Sequence, residues 1–269
     1  MPGFSEYQKL TVPYSPNPKD FFIFDSEIIT PNLNILYGLQ IADGFDAIIS
    51  QRKARVLSEL GGSHAYLGSK LAEKEIGLDK KIEEFLSRAN LLDMQNVKYI
   101  ISAYQLPTDR LDLISKIDIT QYNIPLYIYE NPQTLPRIYF AKQVKFIGID
   151  DIENVNLLLN PNIDFRQLTF IERPEYESQV ETTEKDSFSE INIEEYKAGL
   201  LKLKTKTNQS QWLVFSESNL PTWQVTINGQ TTEIYTANYL YQAIRVPAGQ
   251  HLIEFKYKGI TGYESLLFN

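Results

Sequence analysis

The chain has 269 residues, of which 43% are hydrophobic, and its formal net charge at pH 7 is −8. That length and apolar content are enough for about two domains with hydrophobic cores. Lysine and arginine are scattered among acidic residues, which argues against a nucleic-acid partner. The absence of cysteine excludes disulfides and Cys-ligated metals. No run of about eighteen apolar residues indicates a membrane span, so the sequence predicts a chain that is soluble by itself.

The N-terminal part alternates between patterns typical of strands and of helices. Residues 1–20 contain four prolines and are predicted to form an extended lead-in, followed by a strand over FFIFDSEII. A helix is predicted over 46–60, with Gly61 and Gly62 as its stop. A second helix is predicted from apolar residues at helical spacing, which are Ile82, Phe85, Leu86, Ala89 and Leu92.

Three further segments continue the alternation. NVKYIIS, IPLYIYE and RIYFAKQVKFI are predicted strands, and DDIENVNLLLN is a predicted helix that Asp150 or Asp151 would cap. Strands that alternate with helices favour an α/β layer. The sequence therefore predicts an α/β (or α+β) domain over residues 21–172.

The composition changes after Arg173. Residues 173–190 are polar, acidic and poor in aliphatic side chains, which is typical of a linker. From residue 191 to 269, short alternating segments with tight turns predict an antiparallel β-sandwich domain. Asn228 and Gly229 suit a type I′ hairpin turn, and Trp223, at the start of that hairpin, is predicted to be buried in the core.

Residues suited to catalysis or metal binding are sparse. The two histidines, His64 and His251, lie in different predicted domains, with neither a G-x-S-x-G elbow nor an H-x-x-x-H pair beside them. Glycine-rich phosphate loops are absent as well. The sequence therefore predicts no catalytic residue, no metal site and no cofactor, although a pair of glycosidase carboxylates distant in sequence stays open.

Three stretches together resemble the YfhO-like family of bacterial integral-membrane proteins, which are related to multi-spanning glycosyltransferases that use lipid-linked sugars. They are PNLNILYGLQIADGFDAI at 31–48, NLLDMQNVKYIIS at 90–102, and the segment 212–257, which runs from WLVFSESNLPTWQV to HLIEFKY. The last is similar to the family's terminal module, with its Pro-Gly-Trp corner and Val-Pro-Ala-Gly-x-His turn. This sequence departs from the family at Thr222, where glycine is usual, and at Phe45, where tyrosine is usual.

The resemblance implies an extracytoplasmic region of a membrane protein, whose partners would be the parent protein's membrane helices and an envelope glycan or lipid-linked sugar. No residue here matches the catalytic carboxylate of the related multi-spanning transferases, so the region would assist cell-envelope glycan or glycolipid assembly without catalysing it. One alternative is a carbohydrate-binding or adhesion module at the cell surface. Another is a soluble glycoside-processing enzyme.

One strand supplies the candidate binding residues. In ANYLYQAIRV, Leu240, Ile244 and Val246 alternate with Tyr239, Tyr241 and Arg245. If the aliphatic set faces the core, the other three form an outward stripe that could contact a glycan, because tyrosine rings stack on sugars and arginine donates to hydroxyls. The alternative is an ordinary solvent face with cross-strand pairs.

Overall fold

The computed structural model describes residues 40, 42, 50–60, 78–102, 104–119, 124–175, 180–183 and 187–259. Strands are the commonest element among these residues and the helices are few and short, so the fold is β-rich. The predicted lead-in over 1–20, the FFIFDSEII strand and the family-like stretch at 31–48 lie outside the described residues. As far as it is described, the chain divides into two compact units. The first comprises Met1–Leu135 with Leu159–Ile163, and the second comprises Pro136–Leu158 with Asp164–Asn269.

The first unit contains three described helices. Helix α1 covers Gln51–Glu59, α2 covers Leu78–Ser87 and α3 covers Asn90–Met94. Helix α1 begins at Gln51 because Ser50 is extended and its hydroxyl accepts a hydrogen bond of 3.2 Å from the backbone N–H of Lys53, which is the usual chemistry of an N-cap. Within the described residues, α1 lies inside the helix predicted over 46–60, and the second predicted helix is observed as α2 and α3.

The same unit has a three-stranded sheet, formed by β1 (Tyr99–Ser102), β2 (Asp112–Ile119) and β3 (Ile124–Glu130). Strand β3 is central and pairs antiparallel with both neighbours. Its residue Tyr129 is fully buried and packs with Leu106 and Leu111 against side chains of α2. The alternation of helices and strands favoured an α/β layer, whereas the observed sheet is antiparallel.

The second unit contains two larger sheets and helix α4 (Asp151–Leu158). The strands are β4 (Ile138–Phe140), β5 (Gln143–Ile147), β6 (Leu168–Glu172), β7 (Val180–Thr182), β8 (Ser189–Lys197), β9 (Leu200–Thr207), β10 (Gln211–Ser218), β11 (Trp223–Ile227), β12 (Gln230–Thr232), β13 (Tyr235–Ala237), β14 (Tyr241–Val246) and β15 (Gly249–Tyr257). The seven-stranded sheet has the order β4-β10-β14-β13-β6-β5-β7, and the five-stranded sheet has the order β12-β11-β15-β9-β8. Strands β5 and β6 are parallel and are connected through α4.

The seven-stranded sheet includes strands from both sides of the segment 173–190. Strands β4, β5 and β6 precede that segment, and β10, β13 and β14 follow it. Strand β7 lies inside the segment and pairs antiparallel with β5. Its polar composition is compatible with an edge strand, because one side of such a strand meets no other strand. These strand pairings connect segments on both sides of the predicted boundaries at 172 and 191. The boundaries stay a prediction.

The predicted hairpin is confirmed. Strands β11 and β12 pair antiparallel, with Ile227 opposite Gln230. Between them Asn228 has φ 53° and Gly229 has φ 80°, the positive angles that a type I′ turn requires at both central positions. Trp223 is only partly buried, but it packs against the main core as predicted and its ring lies 6.0 Å from that of Phe215.

One hydrophobic core is shared by the two larger sheets. Its buried residues from the seven-stranded sheet are Leu213, Phe215, Ile244 and Val246, and those from the five-stranded sheet are Leu201, Leu203, Val225, Ile253 and Phe255. The alternation read from the sequence therefore placed Ile244 and Val246 correctly. Facing residues on two sheets bury each other's apolar surface, which is the main stabilising contribution in this unit.

The seven-stranded sheet curls back on itself. Strands β4 and β5 are separated by two residues in sequence but lie near opposite ends of the strand order. Ala141, between them, donates its backbone N–H to the Trp212 carbonyl at 2.9 Å and accepts a hydrogen bond from the Thr183 hydroxyl at 2.9 Å. It thus touches β10 near one end of the sheet and the residue after β7 at the other. The curl gives the sheet a concave face opposite the shared core.

Candidate functional site

The predicted stripe is on the concave face, and most of it is not exposed. Tyr241 and Arg245 lie on the opposite face from Ile244, as the alternation predicted. However, only 1% of Tyr239 and 8% of Tyr241 is exposed. The prediction that these two rings face solvent is wrong, because the curl of the sheet buries its second face as well. A buried ring cannot stack on a sugar, so Tyr239 and Tyr241 do not form an accessible glycan contact.

Burial also changes the acid–base chemistry of the concave face. Tyr139 on β4 shares this face, since it pairs with Val214 next to β14. Desolvation raises the pKa of Tyr139 from 10.0 to about 12, and hydrogen bonds with Thr169 and Asn238 lower it in part. Desolvation raises the pKa of Tyr241 still further. Both phenols therefore stay neutral at alkaline pH values at which an exposed tyrosine ionises.

We expect these two tyrosines to make the fold sensitive to alkali. Their folded-state pKa values exceed the unfolded value near 10, so the unfolded state loses its protons first and stability falls as pH rises through about 10 to 12. The slope should approach about 1.4 kcal/mol per pH unit for each tyrosine. Urea denaturation of the parent and of Tyr139→Phe at pH 9 and pH 11 measures how much of the loss of stability is due to Tyr139. The stability advantage of the parent should shrink at pH 11, and an unchanged difference would contradict the burial of Tyr139.

A group of aromatic and charged side chains occupies the accessible part of the concave face. We call it the aromatic–arginine cluster, and its members are Phe146, Arg173, Glu181, Trp212, Tyr235 and Arg245. Trp212 is 3% exposed and forms the floor of the cluster, whereas the other members are partly exposed.

Strand register brings these residues to one face. Trp212 on β10 lies directly opposite Arg245 on β14, and Tyr235 on β13 lies opposite Ala243, which shares a face with Arg245. Residues that pair across antiparallel strands, and residues two apart along a strand, point to the same side. Trp212, Tyr235 and Arg245 therefore share the concave face.

The remaining strands add the other members by the same rule. Ala237, two residues after Tyr235, pairs with Ile171 on β6, and Ile171 is aligned with Phe146 on β5. Arg173 follows Ile171 by two residues and donates its backbone N–H to the Ile147 carbonyl at 2.9 Å. Because the sheet curls, Phe146 and Trp212 come from distant strands yet have ring centroids 5.9 Å apart.

Arg173 is surrounded by aromatic rings. Its guanidinium carbon lies 4.0 Å from the ring centroid of Phe146, 5.3 Å from that of Trp212 and 5.2 Å from that of Tyr235. A guanidinium within about 6 Å of a ring face is attracted by the ring quadrupole, and more strongly when water is partly excluded. The rings therefore fix the position of this cation.

Arg245, the third predicted site residue, lies in the cluster but is engaged with other side chains. Its Nη2 lies 2.6 Å from a Glu181 oxygen, and its Nε donates to the Ser210 hydroxyl at 2.8 Å. Glu181 also accepts a hydrogen bond of 3.1 Å from the indole N–H of Trp212. The carboxylate thus orients both the tryptophan and the arginine.

Tyr235 completes the rim. Its hydroxyl donates to the Glu233 carboxylate, and this hydrogen bond is the main reason that the pKa of Tyr235 is raised, while Arg173 acts to lower it.

The flat rings of the aromatic–arginine cluster can stack on apolar faces of a ligand, and its charged groups can bind hydroxyl or anionic groups. Sequence reasoning found Arg245 alone, because Arg173 was read as the edge of a linker and Tyr235 as part of a hairpin.

His64 lies outside the described residues, and the remaining candidates that the structure describes make turn and capping contacts. His251 contacts the Asn228 side chain at 3.0 Å and the Ala248 carbonyl at 3.2 Å, which are turn contacts. Asp150 caps helix α4, as predicted, by accepting backbone N–H bonds from Ile152 and Glu153 at 2.9 and 2.8 Å. Within the described residues, no group of three or more His, Asp or Glu side chains could hold a metal ion.

Comparison with known proteins gives one match. Residues 151–266 match the model of the family described as bacterial membrane protein YfhO. No curated protein and no solved structure matches the chain. Among the helices that the structure describes, none combines the length and apolar content needed to cross a membrane. The matched region contains the terminal segment 212–257, whose motifs carried the resemblance, and the match supports a YfhO-like family assignment.

Proposed function

We propose that the chain is a non-catalytic, extracytoplasmic region of a YfhO-like membrane protein and assists cell-envelope glycan or glycolipid assembly. Its partners would be the membrane helices of the parent protein and an envelope glycan or lipid-linked sugar. In fold terms, an α/β unit would precede a β-sandwich, a proposal supported by the core that the two larger sheets share.

The observation that carries this proposal is the aromatic–arginine cluster inside a family-matched region. Five of its six members lie within residues 151–266, and Phe146 lies just before them. Partly exposed rings above a buried tryptophan, with charged donors and acceptors at the rim, are suited to a saccharide, because C–H groups pack on rings while hydroxyls bind polar groups.

The two tryptophans allow a sharp test of glycan contact. Trp212 lies in the cluster and Trp223 lies in the β11 hairpin, so NMR shows two indole N–H signals, which Trp223→Phe assigns. Titration with envelope oligosaccharides should shift the Trp212 signal in a saturable way and leave the Trp223 signal in place. Tyr235→Ala should weaken binding about tenfold, the equivalent of about 1.4 kcal/mol.

Tyr257→Ala is the matched control, since Tyr257 is a partly buried tyrosine whose ring lies 5.4 Å from Trp223 rather than in the cluster. It should leave glycan binding unchanged. If neither indole signal moves at millimolar glycan, the proposed glycan contact is refuted.

A further inference from the structure

Arg173 differs from the other described arginines of its unit, because its guanidinium has no acceptor among the described residues. Arg137 pairs with Glu217 at 3.1 Å, Arg166 with Asp164 at 2.9 Å and Arg245 with Glu181 at 2.6 Å. Among the residues that the structure describes, none accepts a hydrogen bond from the Arg173 guanidinium or forms an ion pair with it. Its Nε is buried without a partner.

From this we infer that Arg173 binds an oxyanion, a carboxylate or phosphate group carried by the ligand of the aromatic–arginine cluster. This inference rests on the proposed function, because it specifies an acidic saccharide as the ligand of the same site. A guanidinium presents its N–H donors in the ring plane as a fork that matches the two oxygens of a carboxylate or phosphate.

The aromatic rings prepare Arg173 for this role. Phe146, Trp212 and Tyr235 hold the guanidinium within 5.3 Å of their centroids, so little side-chain freedom remains to be lost on binding. These contacts are to aromatic rings, so they supply no oxygen acceptor for the N–H groups of the guanidinium. A partly buried donor without an acceptor is costly, and an incoming oxyanion would remove that cost.

Glu181 and Glu233 lie near Arg173, but neither pairs with its guanidinium. Glu181 is held by Arg245 and by the Trp212 indole. Glu233 is exposed and accepts a hydrogen bond from the hydroxyl of Tyr235, whose ring contacts Arg173. Glu233 places a negative charge near the site and opposes a bound anion, so its removal should strengthen anion binding.

Three probes separate the chemistry of the ligand. The purified chain is titrated with methyl galactoside, with galacturonic acid and with inorganic phosphate, and the Trp212 indole signal reports binding. We expect galacturonic acid to bind about tenfold more tightly than the neutral sugar. Phosphate should bind measurably, and both anions should bind more weakly as salt screens the interaction.

Variants assign the effect to Arg173. Arg173→Gln should abolish the preference for the acidic sugar, so that galacturonic acid and methyl galactoside bind this variant with similar affinities. Glu233→Gln should increase the affinity for both anions about threefold. Arg166→Gln is the matched control, because Arg166 is an arginine of the same unit that is already paired with Asp164, and it should change neither affinity.

The outcomes distinguish this inference from the proposed function. Equal affinities for the neutral and acidic sugars, unaffected by Arg173→Gln, overturn the oxyanion role and leave the glycan contact intact. Phosphate binding that is lost in Arg173→Gln, without binding of either sugar, supports the oxyanion site and refutes the glycan contact. If no probe binds at millimolar concentration, both are refuted.

Discussion

Replacing Phe215 by alanine is expected to lower the free energy of unfolding by about 3–5 kcal/mol, the range for truncating a buried aromatic side chain. Phe215 is 1% exposed and belongs to the core that joins the two larger sheets. Its ring packs edge-on against three others, at centroid distances of 5.3 Å to Phe255, 6.0 Å to Trp223 and 6.2 Å to Tyr196. Alanine would leave a cavity between sheets that cannot close without moving both.

Urea denaturation measures this change. The matched control is Leu252→Ala, since Leu252 is also apolar and in the five-stranded sheet but is 44% exposed. Its truncation should cost less than about 0.5 kcal/mol, as is usual for surface positions. Similar losses for the two variants would mean that the shared core does not hold the sheets together.

The pattern of the C-terminal strands was predictable from the sequence, because period-two alternation and turn residues are local signals. Asn228 and Gly229 determine a turn through their backbone angles alone. Ile244 and Val246 face the core because alternation separates two faces of a strand. Gln242 lies on the same face of β14 as Ile244 and is fully buried. It lies beside the register shift between Phe215 and Ser218, where its side chain donates to the Ser218 carbonyl.

The curl of the seven-stranded sheet was not predictable in the same way. Alternation shows that a strand has two faces, but it does not show whether the second face meets water or protein. Tyr241 therefore looked like a surface residue. The curl depends on pairings between segments far apart in sequence, such as Ala237 with Ile171, and on the two-residue break that divides one predicted strand into β4 and β5.

The same limit applies to the aromatic–arginine cluster. Arg173 and Trp212 are separated by a polar segment, and no local spacing connects them. Only the three-dimensional register brings an arginine without an acceptor onto rings from β5, β10 and β13. Residue type gave the chemistry of Arg245, and topology decided which neighbours it has.

The concave face depends on a second buried feature, the side chain of Asn238. It is 0% exposed and follows β13. Its side-chain amide oxygen accepts a hydrogen bond from the backbone N–H of Phe170 at 2.9 Å. The backbone N–H of Asn238 donates to the Phe170 carbonyl at 2.8 Å. Its amide nitrogen donates to the Tyr139 hydroxyl at 3.3 Å. One residue thus connects β13 with β6 and with a tyrosine of β4.

Asn238→Ala is expected to destabilise the protein by about 3 kcal/mol. Loss of the amide leaves the buried Phe170 N–H without its acceptor, which costs about 1–3 kcal/mol. The backbone adds strain, because Asn238 has φ 46° and alanine tolerates the left-handed region less well than asparagine, by roughly 1 kcal/mol. Chemical denaturation gives the total.

Asn238→Gly separates the two contributions, since glycine removes the same hydrogen bonds but accepts a positive φ without strain. It should cost about 2 kcal/mol, less than alanine. Asn228→Ala is the exposed counterpart: Asn228 also has a positive φ, 53°, and accepts a backbone N–H from Leu252 at 2.9 Å. Water can replace that bond, so the loss should stay near 1 kcal/mol. Equal losses at positions 238 and 228 would show that the Asn238 side chain does not hold β13 against β6, and the concave face would then need another support.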